Sequence, residues 1–511
     1  MALELKKDKM QNAEKIAEAT VQQNIDFDAS LPDYCSDVKK ILKCVVTPGV
    51  GNVSVSTSGV TVSGTVTTRL IYISEKDKID CYENTKEFSV EIKAKDIPSD
   101  ADVKITAKTN YTNCRAISQR KISISANVGI GLTAFYPSEK EIITDVSGCA
   151  VQCKKKKVEY QQLLCQRQKV FELGETAAVP EGKAPIGKIL RVNAYAVIDS
   201  KKAVSDKLLI KGEMYTEIFY ITDEQPSSFE RFKHSMPISQ IIDMPGIDEK
   251  SQCSAEVGVR QVMLNIKQDS SSSNRLLEIA AKLCADIKCS LQKSADIIED
   301  TYSISHEIET EYKIQEFLCP VHTIDRQKTH KTTVEIIGGS IRQILDIWCN
   351  ELLCTIKGKD DKVEGICSAS LGILYLDEKD CPAYTEKTVE FDVPVKLSQK
   401  YEFLKCNMSA HIRNIDFKLS SKDKIDVSLE VGLLAEIFSA QSYRILDTVA
   451  EGDKKLSTSD AALTLCFAFK GEKLWDIARK YNTTVSLITQ ENTLEGEELS
   501  EDCMLMIPSA Q

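Results

Sequence analysis

Few side chains in this sequence have the types and spacing that catalysis requires. His306 and Glu307 could begin the H-E-x-x-H motif of a zinc-binding helix, but Thr310 stands where the second histidine must be. The G-x-S-x-G nucleophile elbow and the G-x-x-x-x-G-K-[ST] phosphate loop do not occur. Acidic pairs are plentiful, but none is marked by its sequence as a general acid and base. We therefore predict that the protein is not an enzyme and has no catalytic residues and no cofactor.

The cysteines are the other candidates for chemistry. There are 18 of them, scattered through 511 residues. Cys149, Cys153 and Cys165 come closest to a metal cluster, but they lack a C-x2-C pair and no histidine is near them in the sequence. No apolar signal region follows the lysines near the N-terminus, so we do not expect export. These observations predict reduced, mostly buried thiols and no metal site.

The composition limits the class of partner. The chain is 42% hydrophobic and 28% charged, with a net charge of -11. Such an acidic balance argues against binding to nucleic acid or to an anionic membrane surface. No run of 18 apolar residues is present, so we predict no membrane span. The length predicts three or four domains, each large enough to bury a core.

The chain repeats itself three times before its C-terminal part. In each copy an isoleucine followed by leucine precedes a tyrosine by 31 residues. The isoleucine and tyrosine are Ile41 and Tyr72, Ile189 and Tyr220, and Ile344 and Tyr375. A spacing kept three times indicates a repeated structural unit.

Between these anchors the apolar residues alternate, which predicts strands. Gly64 and Gly212 share the inner face with the tyrosines, and Gly365 keeps the same face two residues earlier. We interpret the glycine as a β-bulge or a close approach of two backbones. Short strands of five to nine residues, separated by polar turns, predict a small β-sandwich for each copy.

The expected organisation has six parts. These are a leader of weak helical spacing (1–24), three β-sandwich-like repeats (25–147, 148–293 and 294–440), a linker (441–460) and a C-terminal module (461–511).

The C-terminal module reads as strand, helix, helix, strand. Leu474, Ile477, Ala478 and Tyr481 form one apolar stripe of a short helix. This order closely resembles a LysM module, a small α+β fold of βααβ order. The residues that carry the resemblance are Gly471, Leu474, Trp475, Ile477, Ala478, Tyr481, Asn492, Leu505, Ile507 and Pro508.

The three repeats resemble the SPOCS domains of clostridial spore coat proteins, and the whole architecture is similar to a family of coat morphogenetic proteins. The fold expected is mainly β. The resemblance implies a noncatalytic scaffold of sporulation that occupies the mother-cell cytoplasm, the forespore surface and the spore coat. It also implies a protein–protein interaction in which the LysM module docks to the morphogenetic ATPase of the coat basement.

The usual ligand of a LysM module is a chain of N-acetylglucosamine, as in peptidoglycan or chitin. The resemblance implies a groove between the loop before the first helix and the loop after the second. Its residues here would be Gly471, Glu472, Lys473, Leu474, Ile488, Thr489, Asn492 and Thr493, with Trp475 as a half-exposed anchor for a partner.

Two departures bear on the ligand. A frequent Asp-Thr pair is Glu472-Lys473 here, which removes a hydroxyl that could cap the helix or meet a sugar. A frequent Pro-Gly turn is Glu501-Asp502, in a region rich in glutamate. This acidic edge favours a basic protein surface over a neutral sugar. We therefore expect the module to bind protein, with peptidoglycan as the alternative ligand.

Overall fold

The computed structural model describes residues 3–56, 58–359, 362–397, 400–456 and 462–509. The outermost residues of the expected leader (1–2) and parts of the expected linker and C-terminal module (457–461 and 510–511) lie outside the described residues. Three repeats of six strands each precede a module of two strands and two helices.

The strands of the three repeats are long. The first repeat contains β1 (Glu4–Ser30), β2 (Val38–Ser56), β3 (Gly59–Ser74), β4 (Ile79–Lys93), β5 (Asp102–Ser118) and β6 (Lys121–Ser147). The second contains β7 (Val151–Ala178), β8 (Ile186–Val204), β9 (Lys207–Thr222), β10 (Phe229–Asp243), β11 (Gln252–Lys267) and β12 (Leu276–Ser303). The third contains β13 (His306–Glu335), β14 (Ile341–Lys359), β15 (Lys362–Asp377), β16 (Pro382–Lys396), β17 (Leu404–Ser421) and β18 (Lys424–Lys455).

Every repeat has the same topology, two antiparallel sheets of three strands. One sheet has the orders β2-β3-β4, β8-β9-β10 and β14-β15-β16 in the three repeats. The other has the orders β1-β6-β5, β11-β12-β7 and β13-β18-β17. The last strand of each repeat therefore lies between its first and fifth strands. The inner faces of the two sheets enclose an apolar core in each repeat.

The 31-residue spacing is the register of one strand pair. Ile41 lies opposite Tyr72, Ile189 opposite Tyr220 and Ile344 opposite Tyr375. Each tyrosine is on the central strand of its sheet and is buried. The repeat inferred from the spacing is thus present in all three copies.

Two of the three glycines have the predicted role. A Cβ atom on Gly64 would lie 2.1 Å from the carbonyl oxygen of Gly49, and one on Gly212 would lie 2.0 Å from that of Val197. Both glycines pair with a residue at a register shift of the neighbouring strand, which is a bulge. Gly365 differs, because its nearest neighbours are side-chain atoms of Met408 at 3.3 Å.

The tyrosine hydroxyls of the first two repeats are paired in the same way. Tyr72 donates to the carbonyl oxygen of Ser36 at 2.9 Å, and Asp80 lies at 3.2 Å. Tyr220 donates to the carbonyl oxygen of Ala184 at 2.8 Å. These bonds fasten the segment before the second strand onto the central strand, which supports a structural role for the rings.

Three expectations about local structure were wrong. In the expected leader (1–24), where weak helical spacing was expected, residues 4–24 belong to the strand β1, because β1 pairs with β6 along almost its whole length. The strands of the repeats have 15–32 residues, not five to nine. The strand β18 continues to Lys455 through most of the expected linker, where pairing with β13 keeps it extended. The sequence did not predict these extensions because the added residues are polar and partly exposed. They are strands because they pair with neighbouring strands.

Two expected repeat boundaries also need comparison with the strands. Residues 148–150 form the turn between β6 and β7, where the expected second repeat begins. The expected start of the third repeat, at residue 294, falls inside β12, which ends at Ser303.

The three repeats pack against one another. A shared apolar cluster includes residues of all three: Ile71, Ile79, Cys81, Leu190, Phe219, Leu345, Trp348 and Leu374. Beside it the Arg191 Nε lies 2.6 Å from a fully buried carboxylate oxygen of Asp346. This ion pair joins the second repeat to the third.

Four cysteines are paired across neighbouring strands. Disulfides join Cys253 to Cys289 and Cys354 to Cys367. The other fourteen cysteines, all within the described part of the chain, form no disulfide.

Candidate functional site

The C-terminal module contains β19 (Leu463–Ala468), α1 (Leu474–Lys480), α2 (Val485–Asn492) and β20 (Cys503–Pro508). The two strands pair antiparallel, and both helices pack on one face of this sheet. Leu474, Ile477 and Ala478 are buried, as their spacing predicts, and Tyr481 packs against the same core. The sequence therefore located this core correctly.

The helix ends differ in how they are capped. Lys473 is the N-cap of α1 and makes no side-chain capping bond. Thr484 caps α2 by accepting a hydrogen bond from the amide of Leu487 at 3.2 Å. Thr493 ends α2 in the left-handed conformation, with φ 51°. The cost of a lysine at the first N-cap, about 1 kcal/mol, is offset by neighbouring backbone bonds.

Those bonds come from the loop before β20. The amide of Gly471 donates to the carbonyl oxygen of Leu499 at 2.8 Å, and that of Leu499 donates to Glu472 at 3.0 Å. The amide of Leu474 donates to the carbonyl oxygen of Glu497 at 3.0 Å. Gly471 and the side chains of Glu472 and Lys473 are exposed along this loop, whereas the side chain of Leu474 is buried. Only the first three of these predicted groove residues are accessible to a ligand.

On the other predicted wall, the polar groups are used within the module. The side-chain amide of Asn492 bonds the carbonyl oxygen of Ile488 at 2.9 Å and both backbone groups of Met506 at 2.6 and 2.7 Å. Thr489 donates to Val485 at 2.8 Å. Ile488 is fully buried. Asn492 thus fastens α2 to β20, and Thr493 alone of this wall is exposed.

Trp475 contacts the second repeat. Its indole nitrogen donates to the Asp300 carboxylate at 2.9 Å, and Arg479 donates to the same oxygen at 3.0 Å. The ring packs edge-on against Tyr302, with 4.9 Å between centroids. Tyr302 in turn donates to the carbonyl oxygen of Thr483 at 2.8 Å, and burial raises the pKa of its hydroxyl to about 12. Trp475 is half-buried, as predicted, but it anchors the module to its own chain.

The outer face of the module's sheet is apolar and exposed. Phe467 and Met504 lie opposite each other and are 55% and 59% exposed. Leu465 and Met506 form the next pair, and Phe469 stacks edge-on against Phe467. We call these five residues the apolar sheet face. Contiguous apolar surface of this kind is characteristic of protein-binding sites, and methionine suits it because its side chain adapts to a partner.

The module that carries this surface is acidic. The described part of the module, residues 462–509, contains eight acidic residues and four basic ones. The exposed acids of the segment before and within the final turn are Glu491, Glu495, Glu497, Glu498, Glu501 and Asp502. The electrostatic field here favours a partner with basic residues.

The sequence could have revealed the apolar sheet face. The large apolar residues Leu465, Phe467 and Phe469 alternate with smaller residues and therefore lie on one face. In the final strand, Met504 and Leu505 are apolar residues on opposite faces. Since only one face of the sheet can pack against the helices, the other had to be apolar and exposed. The contact with Asp300 and Tyr302 had no such signal, because 173 residues or more separate them from Trp475.

The fold and this module define a protein of repeated β-sandwich domains that ends in a small βααβ binding module. The family model of the SipL SPOCS domain matches residues 37–117 and 185–267, and the LysM domain model matches residues 470–508. No curated protein and no solved structure matches the chain. The chain therefore carries SPOCS domains and a LysM domain in the manner of SipL-like proteins, and it is related to sporulation.

The matched SPOCS segments lie in the first two repeats. The third repeat shares their strand order and the pairing of Ile344 with Tyr375. SPOCS and LysM are domain families without enzymatic activity. Among the described residues, no helix has the length and apolarity to cross a membrane.

Proposed function

We propose that this chain is a noncatalytic scaffold of the clostridial spore coat. Its LysM module docks to the morphogenetic ATPase of the coat basement. In this function the protein is made in the mother-cell cytoplasm, gathers at the forespore surface and remains in the spore coat. The family matches support the sporulation role, and the LysM module supplies a surface for docking.

The apolar sheet face is the observation that carries the proposal. Phe467 and Met504 are each more than half exposed and lie opposite each other. They place a rigid aromatic ring beside a flexible side chain. A chain of N-acetylglucosamine needs hydrogen-bonding groups, which this face does not supply. A protein segment with apolar side chains and neighbouring lysines or arginines would complement both the face and the acidic charge of the module.

The rest of the chain supports a scaffold function. The apolar cluster shared by the three repeats and the Arg191–Asp346 ion pair favour a single rigid body. The bond from Trp475 to Asp300 fixes the module on this body. A module held in a fixed orientation can position the repeats relative to the partner, which a flexible tether would not do.

Glycan binding is the second candidate function. It rests on the LysM match and on the exposed loop of Gly471, Glu472 and Lys473, together with Thr493. Two features weaken it: Asn492 is fully engaged in holding α2 to β20, and the acidic side chains nearby gain nothing from a neutral sugar. Peptidoglycan therefore remains the alternative ligand.

Calorimetry with the full chain separates the two functions. One titration uses the coat ATPase and the other uses chitooligosaccharides. The scaffold proposal expects saturable binding of the ATPase and no heat of binding with the sugars. Sugar binding without ATPase binding would replace the first candidate function with the second.

A further inference from the structure

Three side chains with metal-binding atoms meet where the repeats join. Cys149 lies in the turn between β6 and β7, His306 begins β13, and Glu451 lies near the end of β18. Their sulfur, nitrogen and oxygen atoms lie within 4.8 Å of one another. The three residues therefore connect the junction of the first and second repeats to both ends of the third.

The backbone around the cluster is held in place. Cys149 adopts φ 48° and Ala150 φ 49°, which makes a tight turn. The hydroxyl groups of Ser303 and Ser305 both donate to the carbonyl oxygen of Cys149, the latter at 2.7 Å. Cys149 is buried in this arrangement. The two serines that hold it lie at the junction of the second and third repeats.

The same serines determine which nitrogen of His306 faces the cluster. Because the Ser305 hydroxyl donates a hydrogen bond to the backbone carbonyl oxygen of Cys149, its oxygen accepts from Nδ1 of His306, 3.0 Å away. Neutral His306 then has an unprotonated Nε2. This nitrogen lies 3.8 Å from Oε1 of Glu451. Two acceptors that face each other repel, and a cation between them would remove this repulsion.

Metal-binding histidines usually have this arrangement. The second ring nitrogen donates to a neighbouring oxygen, which orients the ring and fixes its tautomer. Here Ser305 supplies that oxygen. A thiolate, an imidazole and a carboxylate together suit zinc better than magnesium or calcium, which prefer oxygen ligands alone.

We propose that Cys149, His306 and Glu451 form a zinc site that joins the three repeats at this end of the molecule. Zinc bonds are about 2.0–2.3 Å long, so ligand atoms around the ion lie about 3.3–3.6 Å apart and need to approach by roughly 1.5 Å or less from their present separations. The side chains of His306 and Glu451 are 22% and 38% exposed, which leaves a route for the ion and a fourth position for water. The Cys149 thiol loses its proton to solvent when the metal binds.

The proposal explains why sequence spacing gave no metal motif. His306 is 157 residues after Cys149, and Glu451 is 145 residues after His306. Such ligands come together only when the three repeats pack. The site is also separate from the LysM surface, so a test of zinc binding does not depend on which partner that module binds.

The test is metal binding by the full chain after removal of bound metal with a chelator. We expect one Zn²⁺ per chain by calorimetry, and with Co²⁺ an absorption band of thiolate-to-cobalt charge transfer. Cys149→Ser and His306→Gln should each weaken zinc binding at least tenfold, and Ser305→Ala should weaken it about tenfold. Cys381→Ser and His322→Gln, which replace exposed residues, are matched controls that should change nothing.

Two results would overturn the proposal. One is the absence of Zn²⁺ binding by the wild-type chain, which would mean that a protonated His306 alone pairs with Glu451. The other is zinc binding that Cys149→Ser leaves intact, or a cobalt complex without the thiolate band. The cobalt spectrum of the wild-type chain decides the matter even if a variant fails to fold.

Discussion

The indole nitrogen of Trp475 donates to the carboxylate of Asp300 across 2.9 Å, which joins the LysM module to the last strand of the second repeat. Asp300 also accepts from Arg479, so one carboxylate holds two residues of α1. The module is therefore fixed to the body by a polar contact as well as by the packing of Tyr302. This contact determines how the apolar sheet face is presented.

Asp300→Ala should loosen the module without unfolding it. The substitution removes both bonds to α1: the bond from the half-buried Trp475 contributes about 1.5–3 kcal/mol, and the ion pair with the exposed Arg479 about 1 kcal/mol or less. We expect faster amide hydrogen exchange over Leu474–Lys480. Asp296→Ala, which removes an exposed aspartate from the same strand, is the control. Equal exchange in the two variants would show that the contact contributes little.

Gly212→Ala should destabilise the second repeat. The added methyl group would lie 2.0 Å from the carbonyl oxygen of Val197, so the strands must separate at the bulge. We expect a loss of about 1–3 kcal/mol in the free energy of unfolding. Chemical denaturation measures it.

Gly258→Ala in β11 is the matched control for that variant, because nothing lies within 4 Å of its added methyl group. It should be neutral or stabilising by about 0.4–1 kcal/mol. If both variants unfold alike, the close approach at Gly212 is not what requires glycine.

Arg191→Met should cost about 3–5 kcal/mol, because it leaves the buried Asp346 carboxylate without its nearest cation. The double variant with Asp346→Leu should recover most of this loss, since the uncompensated charge is removed as well. Denaturation of both variants and of Asp346→Leu alone gives the coupling free energy. A double variant no more stable than Arg191→Met would contradict the account of this interface.

The Asp80–Lys188 pair predicts a pH dependence. Burial acts to raise the pKa of Asp80, but hydrogen bonds from Lys188 and the amide of Ser36 outweigh it and hold the pKa below its usual value. Lys188 Nζ lies 2.6 Å from the carboxylate and belongs to the second repeat, whereas Asp80 belongs to the first. The ionised form is therefore the one that stabilises the fold.

Because the folded pKa is depressed, this stabilisation is complete above the unfolded value of about 3.9 and disappears as pH falls through the lower folded value. The stability difference between wild type and Asp80→Asn should stay constant from about pH 7 to about pH 5 and shrink below about pH 4. Denaturation midpoints across this range measure it. A stability difference that grows on acidification would show that folding does not lower the pKa of Asp80.

The repeats could be predicted from the sequence because each contains a hairpin whose paired residues are close together in the sequence. Ile41 and Tyr72 are opposite each other, so the same separation in every copy gives the same strand pairing. The LysM core could be predicted for a similar reason, since the spacing of Leu474, Ile477 and Ala478 matches one helix face.

Other features depend on distant pairing and left no local signal. The extension of β1 and β18 comes from neighbours more than 100 residues away, which outweigh the helical spacing and polarity of the segments themselves. The contact of Trp475 with Asp300 and the meeting of Cys149 with His306 arise in the same way. The groove stays a prediction, and two of its predicted residues, Asn492 and Ile488, hold the module together.

The affinity of the full chain for the coat ATPase, with and without Phe467→Ser, tests the central claim most directly. If the apolar sheet face is the docking surface, the wild-type chain binds and the substitution costs about 2 kcal/mol or more, roughly thirtyfold in affinity. Ile314→Ser, which removes an apolar side chain that is 79% exposed on β13, should leave the affinity unchanged. Failure of the wild-type chain to bind the ATPase, or equal affinity for wild type and Phe467→Ser, would contradict the account.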